Sequence, residues 1–162
     1  SVDYLASYIL PWQEVGRWDL SAGATHTLTA TQELAPGPPA LATAGDPFAP
    51  PKWKYNASIF WSKGPWTAAV FVSYLSGFST NHAGNTLTAT YPIPSQTNVD
   101  INAGYTFKNG VVGNYGKGLR LNVGIGNLFD EDPPFSDTVF GYDGALHSPL
   151  GRTYSLSFSL PL

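Results

Sequence analysis

Four carboxylates crowd one short stretch, Asp130, Glu131, Asp132 and, beyond two prolines, Asp137. Carboxylates so spaced could chelate Ca²⁺, but the stretch lacks the glycine and closing glutamate of a calcium loop, and turn-capping aspartates in a solvated connection describe it better. A paired-carboxylate glycosidase needs two acids fixed across a sugar-sized cleft, and nothing in the spacing fixes such a pair. The histidines, His26, His82 and His147, are scattered without ligand spacing, which argues against zinc. His82 and His147 fall in long connecting stretches, as do Tyr91, Phe135, Phe140 and Tyr142. With Asp130 and Asp132, these form the set from which ligand contacts are expected, the aromatics by stacking on a sugar or an aromatic chelator. The bland description of the same set is polar loop residues and aromatics packed on one another. There is no cysteine, hence no thiol nucleophile, disulfide or thiolate metal site. No phosphate loop, nucleophile elbow or Ser/His/Asp constellation is visible. The chain does not read as an enzyme, and it calls for no metal and no cofactor.

The elements that must position these residues are strands. Charged residues make up 12% of the 162, aromatics 14%, and there are 17 glycines and 14 prolines, leaving few groups to clothe a water-facing surface. A net charge of -3 without a Lys/Arg stripe excludes a nucleic-acid partner. No apolar run approaches the roughly 20 residues of a membrane helix. Alternation of apolar and polar residues instead predicts seven strands, at about 2 to 10, 18 to 31, 53 to 62, 66 to 77, 98 to 107, 119 to 127 and 153 to 162. Most are near the roughly 9 to 11 residues with which a tilted strand spans a bilayer. Short connectors (PWQEVGR, KGP) alternate with long ones (32 to 52, 78 to 97, 128 to 152), the asymmetry of an outer-membrane barrel.

The two faces of these strands are unlike. The in-strand charges Asp3, Asp19, Lys54, Asp100 and Arg120 all take the parity opposite the apolar series, and Asn56, Asn102 and Asn122 share their parity. Asp19, Lys54, Asn56, Asp100, Asn102, Arg120 and Asn122 are therefore expected to face a crowded lumen and its plug. Ser, Thr, Asn and Gly fill that face where a soluble exterior would carry Lys and Glu. Leu5, Ile9, Phe60, Phe71 and Leu75 break the pattern. Trp12, Trp18, Trp61 and Trp66 lie in or beside the short turns and Trp53 begins a strand at the long-connection rim, as in an interfacial girdle; a sandwich core is the competing account. His26 and Arg152 take the apolar parity high at the outer rim, where Arg152 would meet lipopolysaccharide phosphates or act as a plain rim charge.

The run LRLNVGIGNLFDEDPPFSDTVFGYDGALHSPLGRTYSLSFSLPL, residues 119 to 162, and PPKWKYNASIFWSKGPWTAAVFVSYLSGF, residues 50 to 78, together resemble the C-terminal part of a TonB-dependent outer-membrane receptor. The resemblance implies an all-β, antiparallel transmembrane barrel of about 22 strands, closed by a plug, in the outer membrane of a Gram-negative bacterium. It further implies import of a scarce nutrient, an iron chelate, a cobalamin or an oligosaccharide, driven through TonB. Residues 1 to 162 would then be the C-terminal portion of such a barrel, with the remaining strands, the plug and the TonB-contacting part supplied by the N-terminal side. Tyr154, Leu156, Phe158, Leu160 and Leu162 would be the signal read by the barrel-assembly machinery. The family usually ends on an aromatic residue, whereas Pro161 and Leu162 stand here.

Two other architectures fit the alternation. One is a complete eight-stranded outer-membrane barrel with an adhesive or structural role, its extra strand lying within 84 to 93. The other is a soluble ligand-binding β-protein, lipocalin-like or a sandwich, with its apolar faces turned inward.

Overall fold

The computed structural model describes residues 1–12, 14–28, 51–81, 90–111, 115–138 and 140–160. The alternating runs form β1 (Val2–Trp12), β2 (Gly16–His26), β3 (Trp53–Lys63), β4 (Trp66–Leu75), β5 (Phe78–Asn81), β6 (Thr90–Ile93), β7 (Gln96–Phe107), β8 (Leu119–Gly126) and β9 (Thr153–Ser159). Seven of them make one antiparallel sheet in the order β1-β2-β3-β4-β7-β8-β9, while β5 and β6 pair only with each other. The described residues contain no helix.

At β1–β2 and β3–β4 the turns are too short for the strands they join to do anything but pair with each other. Gly64 takes a φ of 61° in the connection between β3 and β4, and Gly16 takes 106° where β2 begins. At Gly16 a Cβ would stand 2.5 Å from the Ser62 carbonyl oxygen and 2.8 Å from Trp61 Nε1, so only glycine fits there. That closeness lets the Trp61 indole donate to the Val15 carbonyl at 2.7 Å and the Lys63 ammonium to the Glu14 carbonyl at 2.6 Å. The short rim is continued by the Thr106 amide, which donates to the Pro65 carbonyl at 2.9 Å.

Several boundaries differ from the alternation: β1 runs on to Trp12, β2 begins at Gly16 and β4 stops at Leu75. β2 stops at His26 where the run extends to 31; the Thr27 amide still donates to the Lys52 carbonyl at 2.9 Å, and residues 29 to 31 lie outside the described ones. β7 starts two residues early, because Gln96 pairs with Leu75 at the end of β4. β9 ends at Ser159, with Leu160 exposed beyond it and Leu162 outside the described residues.

The strand sought within 84 to 93 does not join the wall. Among its described residues Thr90–Ile93 is extended, it pairs with β5, and β4 pairs directly with β7 from Leu75↔Gln96 to Trp66↔Tyr105. Pro92 and Pro94 explain this, since residues without an N–H cannot serve a central strand. β1 and β9 each have one neighbour, so the sheet does not close on itself as a small eight-stranded barrel must.

Buried side chains are few, and their placement is uneven. Ala69 lies within the wall, whereas Phe78, Ile93, Gln96, Ser136 and His147 all gather at the rim of the long connections. The strands do not enclose a core of their own.

Candidate functional site

Cross-strand register sorts the wall into two complete faces, because side chains opposite one another in an antiparallel pair share a side. One face carries Leu20, Ala57, Ile59, Val70, Val72, Val99, Ile101, Leu121, Val123, Ile125, Leu156 and Phe158. It is bare: Val123 is 48% exposed, Leu156 61% and Phe158 64%. A soluble barrel or sandwich would have buried these residues against one another, so that architecture does not hold. Aromatic rings border the band at both ends. Trp18 and Trp61 sit 6.3 Å apart near the short turns, with Trp66 edge-on to Tyr105 at 4.5 Å. At the other rim His26 stacks on Trp53 at 3.9 Å, Trp53 on Tyr55 at 5.4 Å, and Tyr55 meets Tyr74 at 5.5 Å. Trp53 and Trp61 bound β3, about 26 Å apart along the strand before any tilt, close to the height of a barrel's apolar band.

The opposite face brings together all seven residues singled out for it. Lys54 pairs with Thr25, Asn56 with Gly23 and Ser73, and Asp19 with Phe60. Asp100 pairs with Phe71, Asn102 with Ala69 and Gly124, Asn122 with Gly104 and Ser157, and Arg120 with Thr106 and Ser159. The asparagines lie flat over their neighbours: a Cβ on Gly124 would collide with Asn102 Oδ1 and stand 2.6 Å from Ser155 Oγ. Ser21 and Ser58 share a hydroxyl hydrogen bond of 2.7 Å, and Arg17 pairs with Asp19 at 2.9 Å. The apolar exceptions sit on this face as well, with Leu5 86% exposed and Ile9, Phe60 and Phe71 exposed beside it.

Above this face the connection 127–152 is built on two backbone kinks. Asn127 and Asp130 have φ values of 52° and 58°, a conformation that Asn and Asp tolerate better than most. Asn127 Oδ1 accepts the Glu131 amide at 2.9 Å and its Nδ2 donates to the Glu131 carbonyl at 2.8 Å. The Asn127 amide donates to Asp100 Oδ1 at 2.8 Å, and Asp130 Oδ1 accepts the Arg152 amide at 2.6 Å. Asp130, expected among the ligand contacts, thus clamps the base of the connection just before β9. Asp132 has an exposed side chain, and its carbonyl accepts from Gln96 Nε2 at 3.3 Å. Among the described residues the carboxylates and histidines form no cluster able to hold a metal ion.

The other loop candidates scatter. Phe135 is exposed, and Tyr142 is half-buried with Phe140 at 6.4 Å. His147 is buried against Phe78 and so offers no open surface. His82 lies outside the described residues, as does the side chain of Tyr91 in β6.

A cavity of about 230 Å³ lies where the connection 127–152, which caps this end of the wall, meets the polar face; Lys54, Asn56, Ser73, Gln96 and Asn98 line it from the strands and Ala145 and Leu146 from the connection. Asn98 Oδ1 is buried there without a partner. Ser73, Gln96 and Asn98 were missing from the candidates drawn from sequence. Their signal was the polar parity they share with Lys54 and Asn56, hidden at 96 to 98 by an uncertain strand start.

No curated protein and no solved structure matches this chain. A family model does, described as TonB dependent receptor-like, beta-barrel, and it covers residues 5–128, from β1 to the end of β8. The match takes in every strand of the two-faced wall but β9. Members of that family are transporters of the bacterial outer membrane that work with TonB, not enzymes. With most of its length in that match and its strands laid out as one antiparallel, two-faced sheet, this chain belongs to the TonB-dependent receptor β-barrel family.

Proposed function

We propose that residues 1 to 162 form the C-terminal portion of a plugged barrel that imports a scarce nutrient, an iron chelate, a cobalamin or an oligosaccharide. The carrying observation is the mixed character of the polar face. Asp19, Lys54, Asn56, Asp100, Asn102, Arg120 and Asn122 suit a wet lumen, while the exposed Leu5, Ile9, Phe60 and Phe71 among them call for protein cover rather than open water. A plug seated against β1, β3 and β4 supplies both kinds of contact. The remaining strands complete the wall at β1 and β9, and TonB acts through the plug.

The exposed loop residues Asp132, Phe135 and Tyr142, with His82 and Tyr91, take part in capture at the outer rim. Arg152 meets lipopolysaccharide phosphates there. Tyr154, Leu156 and Phe158, on the lipid side of β9, together with Leu160 and Leu162, address the barrel-assembly machinery.

Uptake of a labelled ferric chelate, cobalamin and oligosaccharide should be compared in cells with the receptor, without it, and with the receptor but no TonB. One of the three should accumulate only when receptor and TonB are both present. Leakage of all three through the receptor without TonB would mean an open pore and would overturn the plugged reading.

A further inference from the structure

The cap over the upper polar face buries one titratable ring. His147 is 6% exposed, and both of its ring nitrogens are sealed from solvent with no hydrogen-bond partner. Because its own chain seals them, strands or a plug added elsewhere cannot reach them. The ring lies nearly parallel to Phe78, centroids 6.1 Å apart and planes 12° apart, which joins the turn at 143–147 to β5. A neutral imidazole is tolerated in such a seat, but the charged form carries two N–H donors and a full charge into it, with only the Asp143 carboxylate and carbonyl to favour them.

Among the described residues, the one charge acting on the ring is Asp143, on the same turn. Its carboxylate already accepts the Ala145 amide at 2.9 Å, and its carbonyl accepts the His147 amide at 2.9 Å. Burial outweighs the attraction of that carboxylate and carbonyl and holds the imidazole below its ordinary 6.5. Phe78, on the facing strand, brings no charge. The same turn carries Ala145 and Leu146, the roof over Lys54, Asn56 and Asn98.

We propose that His147 is a proton-sensitive latch. Neutral, it seats the turn on Phe78 and keeps the cavity beneath covered; protonated, it leaves that seat, and the turn lifts from the polar face. The latch follows from the packing alone, while its consequence for ligand entry rests on the uptake reading above. A group whose pKa is lowered in the packed state favours packing fully above its ordinary value. That preference fades as pH falls below 6.5, by up to about tenfold in the closed-to-open ratio per pH unit.

Hydrogen exchange in the whole receptor, without ligand and corrected for the intrinsic pH dependence of exchange, reads this directly. Protection of the His147 amide should be constant above the ordinary value and fall by up to about tenfold per unit below it. In His147→Phe, which keeps the ring contact and cannot titrate, protection should not change with pH. Wild-type protection that stays flat from about pH 8 to about pH 5 overturns the latch, as does an equal fall in the variant. Independently of any variant, an NMR titration of labelled histidine must place His147 below 6.5; a midpoint at or above that value also overturns it. None of these readouts involves transport, so an uptake failure with a working latch counts against the proposed function alone.

Discussion

The wall and the cap of this sheet are held by different physics. In the wall, strands of 7 to 12 residues are joined by backbone ladders, and among the described residues most side chains on both faces stay open to their surroundings, with Ala69 and, at the start of β7, Gln96 buried. In the cap, at the rim of the long connections, Phe78, Ile93, Gln96, Ser136 and His147 are buried, with Phe78 opposite Ile93 and against His147. A wall of this sort takes its stability from what lies outside it, hydrocarbon against its apolar face first of all, because a sheet with two bare faces gains little from apolar burial of its own. The cap carries its burial with it and can respond to solvent as a separate unit.

Substitutions that strike one region should therefore spare the other. Phe78→Ala should weaken the cap by about 3 to 5 kcal/mol. Hydrogen exchange in 127–152 would rise while the heat-modifiable gel mobility of the barrel stays the same, and coupled loss of both would break the distinction. Val123→Arg sets a charge on the apolar face and should cost the wall about 2 to 4 kcal/mol near the bilayer midplane, read as a lower folded fraction in the outer membrane. Asn122→Arg, one residue away on the other face, should assemble far better; equal tolerance would contradict the assigned facing.

Smaller effects sharpen the border between the regions. Asp130→Ala removes the acceptor for the Arg152 amide and should cost about 1 to 3 kcal/mol, visible as faster exchange at Arg152. Asp130→Asn, which keeps an acceptor and tolerates the positive φ, should restore most of it. Trp61→Phe deletes the bond to the Val15 carbonyl and should cost about 0.5 to 1.5 kcal/mol, confined to exchange in the turn before Gly16.

The two faces were legible in the sequence because a strand turns alternate side chains to opposite sides. Asp19, Lys54, Asn102 and Arg120 could be assigned to one side by parity alone, and the tryptophans beside KGP and PWQEVGR marked a rim for the same reason. The ends of β2 and β7 were blurred, since pairing stops where a partner stops and the partner of Gln96 is Leu75, about twenty residues earlier. Phe78 and His147 are farther apart still, and nothing local says that these two rings stack.

What the sequence by itself determined is the periodicity, and with it the seven wall strands, the pairing of those joined by short turns, and which face avoids charge. Only the tertiary structure decided that residues 90 to 93 pair with β5 outside the wall, that Asp130 holds the Arg152 amide, and that a loop histidine is sealed away from water. The physical reason is range. Alternation and turn geometry act between residues a few positions apart, whereas burial and hydrogen-bond partnership depend on which distant segments meet.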